Sequence, residues 1–204
     1  MSNNVKVINN AEKDLRVTVN HIGEDIQIII EKNKKDIDLL SLKAGHLFKT
    51  NNCEYIVLEQ LENNQTAIIR KELLENTMEF DVNNNNWKTS SICEFLNKSY
   101  LEEIENVFGK DRIVEHTVDL LSLDGLDDYG MSIDKVSLLT IDQYRKYRKV
   151  LGENLDNWWW LITPDSTPSG DSARYVQCVD SGGCVDYDGC DCCGGVRPFF
   201  ILKS

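Results

Sequence analysis

Trp158-Trp159-Trp160-Leu161-Ile162-Thr163-Pro164 and, about thirty residues later, Gly194-Gly195-Val196-Arg197-Pro198-Phe199-Phe200-Ile201-Leu202 are the two stretches on which the fold turns. Three adjacent indole rings supply a large area to bury, so two are expected in the core and one partly exposed. The second stretch ends in an apolar run that reads as a closing strand. Between them lie the loop Thr163 to Gly170 and a Gly/Asp/Cys-rich segment, Cys178 to Cys193, with little bulk of its own. A rigid frame holding an exposed and compositionally unusual segment is the arrangement expected of recognition loops.

Size and charge narrow the classes. A chain of 204 residues suffices for one substantial domain with a small appendage. A net charge of -12 argues against nucleic acid or an anionic membrane as the main partner, because both reward Lys and Arg. No run of eighteen apolar residues is present, so no membrane insertion is expected. The first residues lack the basic-then-apolar pattern of a signal peptide, and the chain is expected to be made in the cytoplasm. Free thiols are then the default for its seven cysteines, although five of them crowd between Cys178 and Cys193.

Residues 5–31 read as strands, with Leu15, Val17 and Val19 and then Ile26, Ile28 and Ile30 alternating with their neighbours. His21 to Asp25 supplies a turn, and Glu31 to Asp38 a charged linker. The N-terminal segment, 1–42, is thus expected to be a small β-hairpin for attachment or assembly into a homo-oligomer, because a lone hairpin is marginal in water. The main domain, 43–204, opens with strands at Cys53–Leu58 and Thr66–Arg70, followed by a turn over Asn83–Asn86. Ser91 and Glu94 have capping-box spacing for a first helix. Leu101 to Phe108 forms a second helix stopped by Gly109, and Thr140 with Gln143 caps a third. Strands are expected at Arg112–Val118 and Lys135–Leu139, separated by a solvated acidic loop from Leu120 to Gly130.

The order of these landmarks resembles a bacterial and phage family, domain of unknown function 6273. The resemblance rests on Gly45-x-x-Phe48, Tyr55-x-Val57-Leu58, Trp87-x-x-Ser90-x-x-Cys93-x-Phe95-Leu96-Asn97 and Asp134-Lys135-Val136-x-Leu138-Leu139. It continues through Trp158-Trp159-Trp160-Leu161-x-Thr163-Pro164, Ala173-x-Tyr175-Val176 and Gly194-Gly195-Val196-Arg197-Pro198, covering roughly residues 43–204. Two departures stand out: Ile162 replaces the family's usual Arg, and its Ser/Tyr/Asn-rich stretch is here Cys-rich. The resemblance implies an α+β, C-type-lectin-like main domain. The wider fold group includes lectins, formylglycine-generating enzymes, phage receptor-binding tips and proteins diversified by retroelements, so fold alone does not decide function.

The leading candidate site is a recognition surface over residues 174–193. Tyr175, Val176, Val179 and Val185 read as frame. The expected ligand contacts are Arg174, Gln177, Cys184, Asp186, Tyr187, Asp188, Cys190, Asp191, Cys192 and Cys193, with Trp158 beside them. Tyr with small polar residues makes an adaptable binding surface. In diversified members of the fold group, adenine-rich codons mutate to this same alphabet of Tyr, Asp, Ser, Gly and Cys. The function implied is a non-enzymatic protein that binds a protein or glycan on a cell surface, phage-encoded and virion-associated. No cofactor is expected. The main alternative is a metal- or disulfide-stapled structural module, although paired Cys-x2–4-Cys knuckles for zinc are missing. A more distant alternative is a formylglycine-generating-like enzyme. His21, His46 and His116 are scattered, and His116 reads as structural. Asp124, Asp127 and Asp128 lack the oxygen-ligand order of a calcium loop. Arg197 is expected to make structural carbonyl or ionic contacts.

Overall fold

A computed structural model describes residues 15–22, 25–32, 37–50 and 53–203. The strand reading of residues 5–14 and the linker reading of 33–36 fall outside these. The chain divides into two units, Met1–Asp38 and Leu39–Ser204. In the first, β1 (Leu15–Ile22) pairs antiparallel with β2 (Asp25–Lys32), from Leu15 opposite Lys32 to Ile22 opposite Asp25.

The second unit begins four residues before the expected boundary. Leu39 is buried, and the Gln60 side-chain amide donates to the Leu39 and Leu42 carbonyls at 2.8 Å each, which ties this turn to the sheet. Its main sheet is antiparallel. β3 (Leu47–Thr50), β4 (Cys53–Leu61) and β5 (Gln65–Arg70) follow in order, and Asn63 and Asn64 adopt positive φ in the turn between β4 and β5. After β6 (Met78–Glu79) the chain enters helix α1 (Ser91–Phe95), a π-helical turn (Leu96–Tyr100) and α2 (Leu101–Phe108). Short strands β7 (Ile113–Val114), β8 (His116–Asp119), β9 (Met131–Asp134) and β10 (Val136–Ser137) precede α3 (Ile141–Tyr147). The last part holds β11 (Trp159–Pro164), β12 (Tyr175–Val179), β13 (Val185–Gly189), β14 (Cys193–Gly194) and β15 (Phe199–Lys203).

The closing strand β15 is central. It pairs with β5 along its whole length on one side, and on the other with β10 at its start and β7 toward its end. Strands buried on both faces read as near-continuous apolar runs, which Phe199-Phe200-Ile201-Leu202 and Tyr55-Ile56-Val57-Leu58 do. On one face Tyr55, Phe108 and Phe200 meet edge to face at 5.3–5.8 Å, which seats α2. On the other, Ile56, Leu58, Ile69 and Phe199 pack with Tyr144 and Tyr147 of α3 and with Trp159 and Leu161 of β11. The fold is α+β, with helices on both sides of a largely antiparallel sheet and a second antiparallel sheet, β11-β12-β13, beside it.

Several local readings shift. The cap of α1 is Ser90, whose hydroxyl accepts from the Cys93 amide at 3.1 Å, one residue earlier than the expected Ser91. Glu94 instead meets Lys98 at 2.6 Å on the surface. The two expected helices run on as one, through the π turn. There the Asn97 amide accepts from the Lys135 and Val136 N–H groups and donates to the Val136 carbonyl at 2.8 Å. Trp87 donates to Asp134 at 2.8 Å, so two of the sequence blocks quoted above are pinned to each other. The α3 capping box is formed as read, Thr140 with Gln143. The expected strand Arg112–Val118 is split into β7 and β8, and Lys135–Leu139 keeps only β10. Among the described residues no helix is long and apolar enough to cross a membrane.

Candidate ligand-binding surface

The surface is built outward from β11, every residue of which is buried. Trp159 packs edge-on against Tyr144 at 5.7 Å. Trp160 meets Phe80 at 5.9 Å and Trp158 at 4.7 Å, and donates from Nε1 to the Met78 carbonyl at 3.0 Å. Trp159 and Trp160 are core, and Trp158 is half-buried. Gly194 and Gly195 make this packing possible. A Cβ on Gly194 would run into the Trp158 ring, and one on Gly195 would stand 2.8 Å from the Trp158 carbonyl oxygen.

β12 lies against β11 and is itself buried from Val176 to Val179. β13 lies outside β12 as the sheet's edge, with Val185, Asp186 and Tyr187 exposed. The register places Tyr175 opposite Gly189, Gln177 opposite Tyr187 and Cys178 opposite Asp186. Because side chains alternate across a strand, Tyr175 and Tyr187 share a face as diagonal neighbours. Their rings meet edge to face at 5.5 Å and are 41% and 55% exposed. Tyr175 and Val185 therefore belong to the surface and not to the frame, a correction to the sequence reading. The turn into β13 is fixed by the Asp180 carboxylate, which accepts from the Cys184 N–H at 2.8 Å, and by Gly183 at φ +81°.

Alternation puts the acidic side chains of β13 on the face opposite the tyrosines: Asp186, paired with Cys178, is exposed, and Asp188, paired with Val176, is half-buried. Arg174 pairs with Asp191 at 2.8 Å, with about half of each side chain open to solvent. Backbone N–H donation and the Arg174 guanidinium hold the Asp191 carboxyl below its usual range. An exposed pair of this kind adds little stability and mainly fixes where the two groups stand.

Two expected contacts lie beneath the surface. Gln177 is 2% exposed and donates to the Asp165 carboxylate at 2.8 Å, and Cys190 is fully buried, its N–H donating to the Arg174 carbonyl at 2.7 Å. Both are covered because β12 and the 190 turn pack under their neighbours, so they support the surface without contacting a ligand. Burial, then the Asp124 charge, raises the Asp165 carboxyl. Asn85, in the expected Asn83–Asn86 turn, does more than turn the chain. Its amide nitrogen donates to the Ser166 and Tyr175 carbonyls at 2.9 and 2.8 Å, and its oxygen accepts from the Tyr129 hydroxyl at 2.7 Å. The acidic loop is likewise not merely solvated. Asp124 accepts from Ser122 Oγ at 2.5 Å and Ser166 Oγ at 2.7 Å, and Asp128 accepts from the Ser169 N–H at 2.8 Å, which clasps the 163–170 loop.

The cysteines divide by depth. Cys184 and Cys193 are exposed, Cys192 is half-buried, and Cys178 and Cys190 are buried, all as free thiols. Burial, reinforced by Asp186, Asp188 and Asp180, pushes the Cys178 thiol up to about 12. A hydrogen bond to Asp188 raises Cys192, with burial adding to it. Among the described residues no group of three His, Cys, Asp or Glu side chains is placed to hold a metal ion. His116 is half-buried, bonded through Nε2 to Ser137 Oγ at 2.9 Å, and burial lowers its pKa. Because the thiolate is the reacting form, a thiol reagent at pH 8 should label Cys184 and Cys193 first. Cys178 and Cys190 should react only after denaturation, a difference that mass spectrometry of the labelled peptides reads directly. Early labelling of Cys178 would contradict this placement.

No family model, curated protein or solved structure matches this chain.

Proposed function

We propose that residues 39–204 form a C-type-lectin-like binding domain of the kind implied by the resemblance to domain of unknown function 6273. Its non-enzymatic ligand surface is the outer edge of the β11-β12-β13 sheet. A closing strand that returns into the opening sheet, with a separate three-stranded sheet beside it, supports the fold reading. The function reading is carried by one observation: an edge-to-face, half-exposed tyrosine pair, Tyr175 and Tyr187, on strands carried by the fully buried β11. Rigid aromatic anchors beside adaptable polar groups suit recognition of a protein or glycan. Arg174, Asp186, Asp188, Asp191, Cys184, Cys192 and Cys193 supply polar groups along this edge, Asp186 and Asp188 on its other face, and Trp158 lies half-buried at Gly194. In this reading the surface is diversified by a retroelement in a phage-encoded, virion-associated protein, and the β1–β2 hairpin serves attachment or assembly.

The test is binding of the purified chain to a glycan array and to intact cells of a bacterial panel. Where the chain binds, Tyr187→Ala should weaken binding at least about tenfold, as a central aromatic anchor does. The thermal midpoint should stay unchanged, because the side chain is exposed. Unaltered binding by Tyr187→Ala, or binding to neither probe, counts against the proposal.

A further inference from the structure

A second concave feature lies in the main unit, lined by β3, β4, the segment after β5 and the 150–156 loop. It is a cleft of about 500 Å³, within the size range of small-molecule sites. Leu47, Ile56, Val150, Leu151 and Leu155 supply an apolar wall, and Arg197 also lines it. Arg197 is 2% exposed, so it lies at the cleft's deep end. Its Nε donates to the Arg70 carbonyl at 3.0 Å and its Nη2 to the Lys71 carbonyl at 2.8 Å. A guanidinium carries five N–H donors, and no carboxylate among the described residues forms an ion pair with this one. An isolated buried cation is costly unless a counter-charge arrives. Burial lowers the Arg197 pKa to about 10, and the Glu72 carboxylate, which makes no ion pair with it, offsets this only in part.

The remaining charges define what could supply that counter-charge. Lys71 is already occupied, at 2.9 Å from Glu54 and 3.8 Å from Glu72. Glu72, Glu153 and Asp156 are exposed and place three carboxylates on the cleft's lining. A ligand with several negative charges would be repelled there, whereas a single carboxylate reaching the deep end would meet Arg197 beyond them. We infer that this cleft binds a small monocarboxylate with an apolar body, its carboxylate on Arg197, its hydrocarbon on the Leu47–Ile56–Leu151 wall, and its outer end neutral or cationic.

This site is independent of the tyrosine surface, and its test does not depend on that reading. The full chain is titrated by NMR with 4-methylpentanoate, its amide 4-methylpentanamide, and succinate, while the Arg197 side-chain Nε–H resonance is followed. The acid should bind about tenfold or more tighter than the amide, since charge-assisted hydrogen bonds to a guanidinium are the strong ones. It should also move the Arg197 resonance, and succinate should bind more weakly. Arg197 also holds backbone, so its replacement could unfold the chain. The rim variants Glu153→Lys and Asp156→Lys sit at exposed positions and avoid that problem. Each should tighten 4-methylpentanoate several-fold, on the order of 3-fold, by removing a repulsive charge and adding an attractive one. Equal binding of acid and amide, an unmoved Arg197 resonance, rim variants without effect, or no binding of the acid at about 10 mM would each overturn the inference.

Discussion

Trp160→Ala should lower the unfolding free energy by about 3–5 kcal/mol, the range for deleting a buried large aromatic. Trp160 is fully buried between Phe80 and Trp158, and its Nε1 satisfies the Met78 carbonyl. Truncation empties the ring volume, removes two edge-to-face contacts and orphans that carbonyl. It also removes the ring against which Gly194 lies, so the link from β14 to β6 is weakened along with the core. Trp160→Phe keeps most of the volume and should recover more than half of the loss. Urea denaturation of the full chain measures both. A midpoint for Trp160→Ala close to that of the parent would show that this ring does not anchor the β11 sheet.

Arg197→Met should cost about 2–4 kcal/mol, because two part-buried carbonyls, of Arg70 and Lys71, lose their donors at roughly 1–3 kcal/mol each. The guanidinium also stands 5.3 Å over the Trp159 ring, a contact that methionine replaces only in part. One effect opposes the loss: the cation is held at a desolvation cost, shown by its lowered pKa, and removing it recovers some of that. This opposing effect is why the expected change is smaller than for Trp160 despite comparable burial. Arg197→Lys should rescue little, since a single ammonium cannot span the Arg70 and Lys71 carbonyls as the planar fork does. Chemical denaturation at pH 7 distinguishes these outcomes, and a fully stable Arg197→Lys would argue against the bidentate role.

What the sequence made legible was local or strongly periodic. The Thr140–Gln143 box, the β1–β2 hairpin and the buried Trp pair all follow from spacing of a few residues. The Ser91–Glu94 pairing had the same spacing but was a decoy. The turn at Trp87–Thr89 delivers Ser90 to the cap position, and Glu94 finds Lys98 instead. The misses share a different cause, contacts between residues far apart in the chain. Asn85 reaches Ser166 and Tyr175, Asp124 reaches Ser166, and Gln177 is buried on Asp165 by packing that no short window shows. Tyr175 and Val185 looked like frame because they are apolar, yet an edge strand leaves them open. Asn85 and Tyr129, which hold the start of β12, carried no sequence signal apart from lying in turn-like segments. The cleft at Arg197 was foreshadowed only by the Gly-Val-Arg-Pro block, read as structural.

On the proposed reading, the exposed residues of the β12–β13 edge form a ligand surface carried on a fixed core. Deep sequencing of codons 174–193 from a population carrying the gene tests it most directly. Substitutions should concentrate at Arg174, Tyr175, Asp186, Tyr187, Asp188, Asp191, Cys192 and Cys193, at coding-strand adenines, and should spare Val176, Gln177, Cys178 and Cys190. An invariant stretch, or variation falling equally on those four buried positions, would contradict the account.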